Sequence, residues 1–194
     1  MKQLKMCRIM TDKPIRRDLP EGYSICNYSG AADKEQWCEC CRKGRLIDES
    51  TGVKAFDDSI TAIAEIDPYK DVFFLKYNGE AVGTATAFVR ADGTGDLHMV
   101  SIKPGYRGKG LCRYLLGAPI EKLHRDGVEY TFLTTDEFRQ SAIKSYLTAG
   151  FLPVDYDTDM KERWESVLRE LDIESVTMLK EDLITIEKIY RKKQ

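Results

Sequence analysis

Two glycine turns, Asn78-Gly79 and Asp92-Gly93, constrain this chain more than any other feature. Asn-Gly and Asp-Gly tolerate the positive φ angles that a tight reversal between paired strands demands, and here each pair sits between apolar runs. Val72–Tyr77 (VFFLKY) is rich in β-branched and aromatic residues, Ala81–Arg90 (AVGTATAFVR) follows the first turn, and Gly95–Ile102 follows the second. The spacing therefore predicts an antiparallel meander of three strands.

Around it the pattern changes character several times. Gly22–Tyr28 reads as a first strand after the turn Leu19-Pro20-Glu21-Gly22. Two helical segments come next: Asp33–Gly44, carrying Trp37 and Cys41, and Val53–Ile66, stopping before Pro68. After the meander, the periodicity predicts a helix over Leu111–Arg125, a strand over Val128–Thr134, a helix over Arg139–Ala149 closed by Gly150, and a strand over Phe151–Tyr156. The tail reads as helical. Asp159 and Glu162 have capping-box spacing, Trp164, Val167, Leu168 and Leu171 form one apolar stripe, and Leu179, Leu183, Ile186 and Tyr190 form another. A short strand over Ser175–Leu179 is left open. A meander followed by strand–helix–strand–helix–strand predicts an α+β fold.

Composition narrows the function classes. At 194 residues, with 42% apolar residues and no repeat, low-complexity tract or linker, residues 1–194 are expected to form a single domain. A net charge of −2 gives no general attraction to nucleic acid or an anionic membrane, and the basic run Lys188–Lys193 reads as a solvated helix end. No run approaches the roughly 18–20 apolar residues of a membrane span. Met1–Met10 is interrupted by Lys2, Lys5 and Arg8, so it lacks the apolar core of a signal peptide. A cytoplasmic protein with reduced thiols is expected. Cys38, Cys40 and Cys41 fall on the first helix, and a zinc site would borrow Cys7 or Cys26. No second paired-cysteine motif supports one, so buried thiols are the default and no metal is expected.

The chemistry concentrates after the third strand of the meander. Gly95–Ile102 leads through Lys103-Pro104-Gly105-Tyr106 into Arg107-Gly108-Lys109-Gly110 and then straight into a helix. Glycines at a strand-to-helix turn leave the first helical N–H groups bare, and Arg107 and Lys109 add positive charge there, which suits a pyrophosphate. A Walker A loop would need different spacing and a Ser or Thr after the lysine. A Rossmann fingerprint would need βαβ-linked strands rather than hairpins.

Val100–Cys112 resembles motif A of the GNAT superfamily of N-acetyltransferases, in which [Q/R]-x-x-G-x-[G/A] follows a strand. Arg107 to Leu111 fit, and Cys112 stands where Gly or Ala is usual. Leu133-Thr134-Thr135 with Ala142, Tyr146 and Gly150-Phe151 is similar to the family's motif B, with Arg139 where Asn is usual. The resemblance spans Gly79–Tyr156. It implies a mixed, largely antiparallel GNAT-type sheet flanked by helices, here with extra C-terminal helices. It also implies acetyl-CoA as acyl donor, held by Val100, Ile102, Arg107, Gly108, Lys109, Gly110 and Arg139, with a backbone N–H near Val100 meeting the developing oxyanion.

The implied reaction is acetyl transfer to an amine, expected to belong to a small soluble molecule. Asp96 and His98 lie two apart on one strand and share a face, so either suits a general base, directly or through water. The plainer roles are a turn cap for Asp96 and a packed strand residue for His98. Tyr146 is the candidate general acid toward the departing thiolate, against a plain core role. Trp37 and Phe56 are expected to wall the acceptor site, and Glu35, Glu39, Asp57, Asp58 and Glu65 are candidates to line a cationic pocket or else a solvated helix face. A non-catalytic acyl-CoA sensor or an interaction module is the alternative. Oligomeric state is left open.

Overall fold

The computed structural model describes residues 2–11 and 18–192. Their contacts divide into two units, Met10–Glu129 and Met1–Ile9 with Tyr130–Gln194. The chain opens with β1 (Leu4–Ile9), which belongs to the latter unit.

Within Met10–Glu129 the elements are β2 (Tyr23–Asn27), α1 (Ala32–Lys43), α2 (Lys54–Phe56), α3 (Pro68–Asp71), β3 (Val72–Tyr77), β4 (Glu80–Val89), β5 (Gly95–Ile102) and α4 (Cys112–Arg125). The meander stands as the sequence predicts: β2, β3, β4 and β5 are neighbours in that order, all antiparallel. Asn78 and Gly79 adopt φ of 47° and 87°, the two positive values a type I′ hairpin turn needs.

Both faces of this sheet are covered, which is why β3 and β4 read as continuous apolar runs rather than alternating ones. On one face Trp37, Cys40 and Cys41 of α1 pack with Phe56, Val72, Phe74, Ala81 and Phe88. On the other, Leu111 and Leu115 pack with Leu75, Val82 and Ala85. Trp37 meets Phe56 edge-on at 5.3 Å between ring centroids, and Tyr28 stacks on Phe56 at 5.0 Å. Full burial of side chains of this size stabilises the fold by about 1.5–3 kcal/mol each.

The expected long helix over Val53–Ile66 is broken. Three α-helical residues run into a π-helical turn, Asp57–Thr61, where the Ala62 N–H reaches the Asp57 carbonyl at 2.8 Å. Pro68 opens a helix as well as ending a segment: it stands at the start of α3, with Asp67 accepting from the Tyr69 N–H at 3.1 Å.

Within the second unit, β1 joins β6 (Tyr130–Thr135), α5 (Gln140–Thr148), β7 (Leu152–Asp155), α6 (Met160–Glu170), β8 (Ser175–Lys180) and β9 (Ile186–Tyr190). β1 pairs antiparallel with both β6 and β7, β8 lies parallel to β7, and β9 closes the edge antiparallel to β8. Three sequence expectations need correction here. Gly22–Tyr28 is not the first strand, because Leu4–Ile9 precedes it; its cations mask a strand whose Leu4, Met6 and Cys7 are buried.

The second apolar stripe of the tail is a β-hairpin, not a helix. Asp182 accepts from the Ile184 and Thr185 N–H groups at 2.9 and 2.7 Å, and Leu183 takes a φ of 59°, so the chain reverses between Leu179 and Ile186. Lys188 therefore sits on a strand, and Lys193 lies outside the described residues. At the start of α6, Asp159 makes no side-chain cap; its carboxylate lies 3.6 Å from Arg163, while Glu162 pairs with Lys192 at 2.8 Å.

Candidate functional site

β5 departs from regular pairing where the sequence places the acyl-transfer chemistry. Thr86 of β4 faces His98 and Thr84 faces Ser101, so three steps on β5 oppose two on β4. Met99, at a φ of 52°, absorbs the extra residue as a β-bulge, and Met99 and Val100 have no register partner on β4. A bulge releases backbone groups from the ladder and bends the strand, which gives this segment hydrogen-bonding capacity that a regular strand lacks.

Past Ile102 the chain makes a 3₁₀ turn over Pro104–Tyr106 and enters α4 through the four exposed residues Arg107–Gly110. Gly108 and Gly110 hold φ of 74° and 70°, conformations that L side chains rarely adopt. A Cβ placed on Gly108 would meet no protein atom within 4 Å, so its backbone is open to a bulky group. No side chain caps the N-terminus of α4. Lys109 lies over the Tyr106 ring at 5.0 Å and has no carboxylate partner among the described residues. Open glycine backbone, an uncapped helix N-terminus and a free ammonium together fit a pyrophosphate.

Arg107 behaves differently from Lys109. Its N–H donates to the Pro104 carbonyl at 3.1 Å, its Nε to the Ile102 carbonyl at 2.8 Å and its Nη2 to the Lys43 carbonyl at 3.1 Å. A further cation that the sequence reading passed over is Arg113, exposed on the first turn of α4, with its guanidinium 4.8 Å from the Tyr114 ring centre. Its place three residues after Gly110 was visible in the sequence.

The two base candidates share a face of β5, as their spacing predicts, and it is the face covered by α1 and α2: Asp96 is opposite Phe88, and His98 opposite Thr86. Their partners separate them. Asp96 is held by Arg90, whose Nε donates at 2.8 Å, and the neighbouring turn is capped by Asp92 instead. His98 Nε2 lies 3.2 Å from the Ser59 carbonyl. A carbonyl only accepts, so the neutral ring carries its proton on Nε2 and keeps the lone pair on Nδ1. Burial pushes the His98 imidazole below its usual range, against the raising effects of Asp96 and Ser59. Ser59 lies in the π-helical turn, and no side-chain pattern in the sequence marks its carbonyl.

Tyr146 and Arg139 lie in the second unit. Tyr146 is buried on α5 beside Phe151, with ring centroids 6.1 Å apart. Arg139 precedes α5; its Nε donates to Asp136 at 3.2 Å and its guanidinium lies over the Phe138 ring.

The expected acceptor walls do not survive. Trp37 and Phe56 are fully buried in the core beneath α1, where they cannot face a substrate. Four of the five candidate acids are matched by cations: Glu35 by Arg42, Glu39 by Lys103, Asp57 by Lys34 and Asp58 by Lys54. Glu65 is exposed. An open recess of about 600 Å³ lies instead at the end of α1, lined by Arg42, Arg45, Leu46, Ile47, Asp48 and Glu49. Cys38, Cys40 and Cys41 are buried thiols, and burial pushes Cys40 up to about 12.

A sequence profile of the acetyltransferase (GNAT) family matches residues 33–151. The chain belongs to the GNAT family. Among curated relatives it is 28% identical over 167 residues to the mycothiol acetyltransferase of Streptomyces scabiei, covering 84% of this chain and 53% of that one. It is 26% identical over 159 residues to the mycothiol acetyltransferase of Thermobispora bispora, covering 76% and 52%. The chain thus spans about half the length of the curated relatives it matches. Among solved structures, a GCN5-related N-acetyltransferase from Sphaerobacter thermophilus superposes with a TM-score of 0.64 at 20% identity, over 79% of this chain and 49% of that one. The mixed sheet flanked by helices is the fold of these neighbours. No helix among the described residues is long and apolar enough to cross a membrane.

Proposed function

We propose that the chain is an acetyl-CoA-dependent N-acetyltransferase that acetylates an amine of a small molecule, and that residues 1–194 act as one acyltransferase domain. The observation that carries this reading is the β5 bulge at Met99, followed within a few residues by the open glycine turn into α4. The matched residues 33–151 run through both units, which supports the single-domain reading. The relatives' name, mycothiol acetyltransferase, supports a small-molecule acceptor.

Bound acetyl-CoA would supply an activated acetyl thioester. The backbone of Gly108–Gly110 and the Lys109 ammonium would hold its pyrophosphate, with Val100 and Ile102 of β5 and Arg139 completing the contacts. An alkyl amine with a pKa near 10 is about 99.9% protonated at neutral pH, a deficit of roughly 4 kcal/mol. His98 Nδ1 takes that proton from the acceptor, directly or through water; Asp96, bound to Arg90, is the secondary candidate. The backbone N–H of Val100 steadies negative charge on the acyl oxygen. The Tyr146 phenol gives its proton to the leaving sulfur.

The test is acetyl transfer from acetyl-CoA to a library of polyamines, amino sugars and amino acids, with lysine-rich peptides present at equal amine concentration. Mass spectrometry is the readout, because the six thiols would confound a thiol dye. A small amine should be the best substrate. A peptide whose kcat/KM exceeds every small amine by tenfold, about 1.4 kcal/mol of transition-state preference, overturns the small-molecule reading. Tight binding of acetyl-CoA without turnover on any amine would instead make the chain a sensor.

A further inference from the structure

The last four carbonyls of an α-helix have no partner within the helix, so each must find one elsewhere. In α1 these belong to Cys40, Cys41, Arg42 and Lys43. Cys40 accepts from the Gly44 N–H at 2.9 Å and from the buried Ser101 hydroxyl at 2.7 Å. Cys41 accepts from the Leu46 N–H at 2.9 Å and Arg42 from the Arg45 N–H at 2.9 Å. Lys43 accepts from Arg107. Two of the four carbonyls are thus met by side chains from the segment that makes the bulge and the glycine turn. Lys103, between them in sequence and itself nearly buried, adds an ion pair to the half-exposed Glu39 of α1 at 2.9 Å.

We infer that Arg107 is a positioning residue that holds the C-terminal end of α1 against the cofactor turn, rather than a ligand of the cofactor phosphates. The guanidinium is planar and presents its donors in a fixed fork, and here the fork spans two backbone carbonyls, Ile102 of β5 and Lys43 of α1. Both are acceptors, and a cation at a helix C-terminus is favoured by the helix dipole. An anion drawing Arg107 away would break both of these bonds and hand the carbonyls to water, while Lys109 offers an ammonium with no such commitment.

The consequence reaches the recess beside it. Directly after Lys43 and Gly44 the chain passes through Arg45 at a φ of 57°, an unfavourable conformation for a side-chain-bearing residue. It then forms the wall Leu46–Glu49. Fixing the Lys43 carbonyl fixes where that wall begins relative to the turn. Arg107 therefore registers the recess against the cofactor, an inference that rests on the acyl-CoA reading above.

The test compares Arg107→Ala, Arg107→Lys and Lys109→Ala, each first confirmed folded by its melting curve. Calorimetric titration with CoA at two salt concentrations and hydrogen exchange of residues 40–48 are the readouts. Arg107→Ala should keep the CoA Kd within about threefold and retain its salt dependence, while exchange over residues 40–48 rises about tenfold. Arg107→Lys, which can still reach one carbonyl, should restore part of that protection. Lys109→Ala should weaken CoA about tenfold, flatten its salt dependence and leave residues 40–48 protected as before. A tenfold loss of CoA affinity in Arg107→Ala, or unchanged exchange of residues 40–48, overturns the inference. Should the wild type fail to bind CoA, the functional reading falls, while the exchange comparison still decides whether Arg107 holds α1.

Discussion

Replacing Gly108 with valine separates the fold from the cofactor site. Apart from its chain neighbours, no protein atom lies within 4 Å of a Cβ at this position, so the first side-chain carbon has room. What it meets is its own backbone, since Gly108 sits at a φ of 74°. Left-handed conformations disfavour L residues by roughly 1–2 kcal/mol. In a protein of this size each kcal/mol shifts Tm by about 2–4 °C, so Gly108→Val should melt about 2–8 °C below wild type and remain folded. Acetyl-CoA at a hundred times its Kd stabilises the wild type by about 2.7 kcal/mol, a rise of about 5–11 °C. The valine side chain fills the open side of the turn and should remove that rise. Differential scanning fluorimetry with and without millimolar acetyl-CoA reads both effects. An undiminished ligand shift in Gly108→Val would show that the turn's backbone is not approached by the cofactor, and absence of any shift in wild type would remove the cofactor from the reading.

Other positions give independent checks. At Gly44 the backbone is ordinary, yet a Cβ would come within 2.0 Å of Ser101 Oγ, so Gly44→Ala should destabilise the fold by about 1–3 kcal/mol in a urea melt. Adding Ser101→Gly should recover part of that loss, because the side chain in the way is gone; strictly additive losses would refute the contact. His98→Gln should lower kcat by at least about 10²-fold. Because burial depresses the His98 pKa, the wild type binds fewer protons there than its unfolded chain below about pH 6.5. Its stability should therefore fall as pH drops through that range, and His98→Gln should flatten this limb of the curve. Tyr146→Phe should lower kcat by about 10²-fold with CoA binding intact, and an unchanged kcat would return Tyr146 to a packing role.

The fold was legible where local chemistry and tertiary contact agree. Asn78-Gly79 and Asp92-Gly93 mark their turns through φ preferences that no packing needs to impose, and the meander followed from them. The same local rules fail at both ends of the chain. Leu4–Ile9 carries Lys5 and Arg8 and looks too charged for an interior strand, but both cations find partners: Lys5 lies 4.3 Å from the Phe132 ring centre, and Arg8 donates to the Ala149 carbonyl. Near the C-terminus, Leu179, Leu183, Ile186 and Tyr190 fall at helical spacing by coincidence. The Asp182 turn separates them into a hairpin, and Leu179 and Ile186 face each other across its two strands.

The candidate site divides along the same line. Its donor half is written in short-range sequence, because glycines at positive φ and a strand running into a helix are local properties. The acceptor half depends on which charges remain unspent after folding, and sequence records charges but not their partners. Glu39 illustrates the difference: as an acid on α1 it suits a cationic pocket, yet it is 2.9 Å from a lysine that is itself nearly buried. Burial works to lower the pKa of Lys103, while its hydrogen bonds to Glu39 and Glu80 raise it and keep the ammonium charged. Glu39 shares that cation with Glu80, 3.0 Å from the same ammonium, so the acid is engaged in joining α1 to the end of β5 rather than open to a substrate amine. The neighbouring recess follows the same rule: Asp48 and Glu49 share it with Arg42 and Arg45, and Glu49 lies 3.6 Å from Lys43, so its charges too are engaged within the fold.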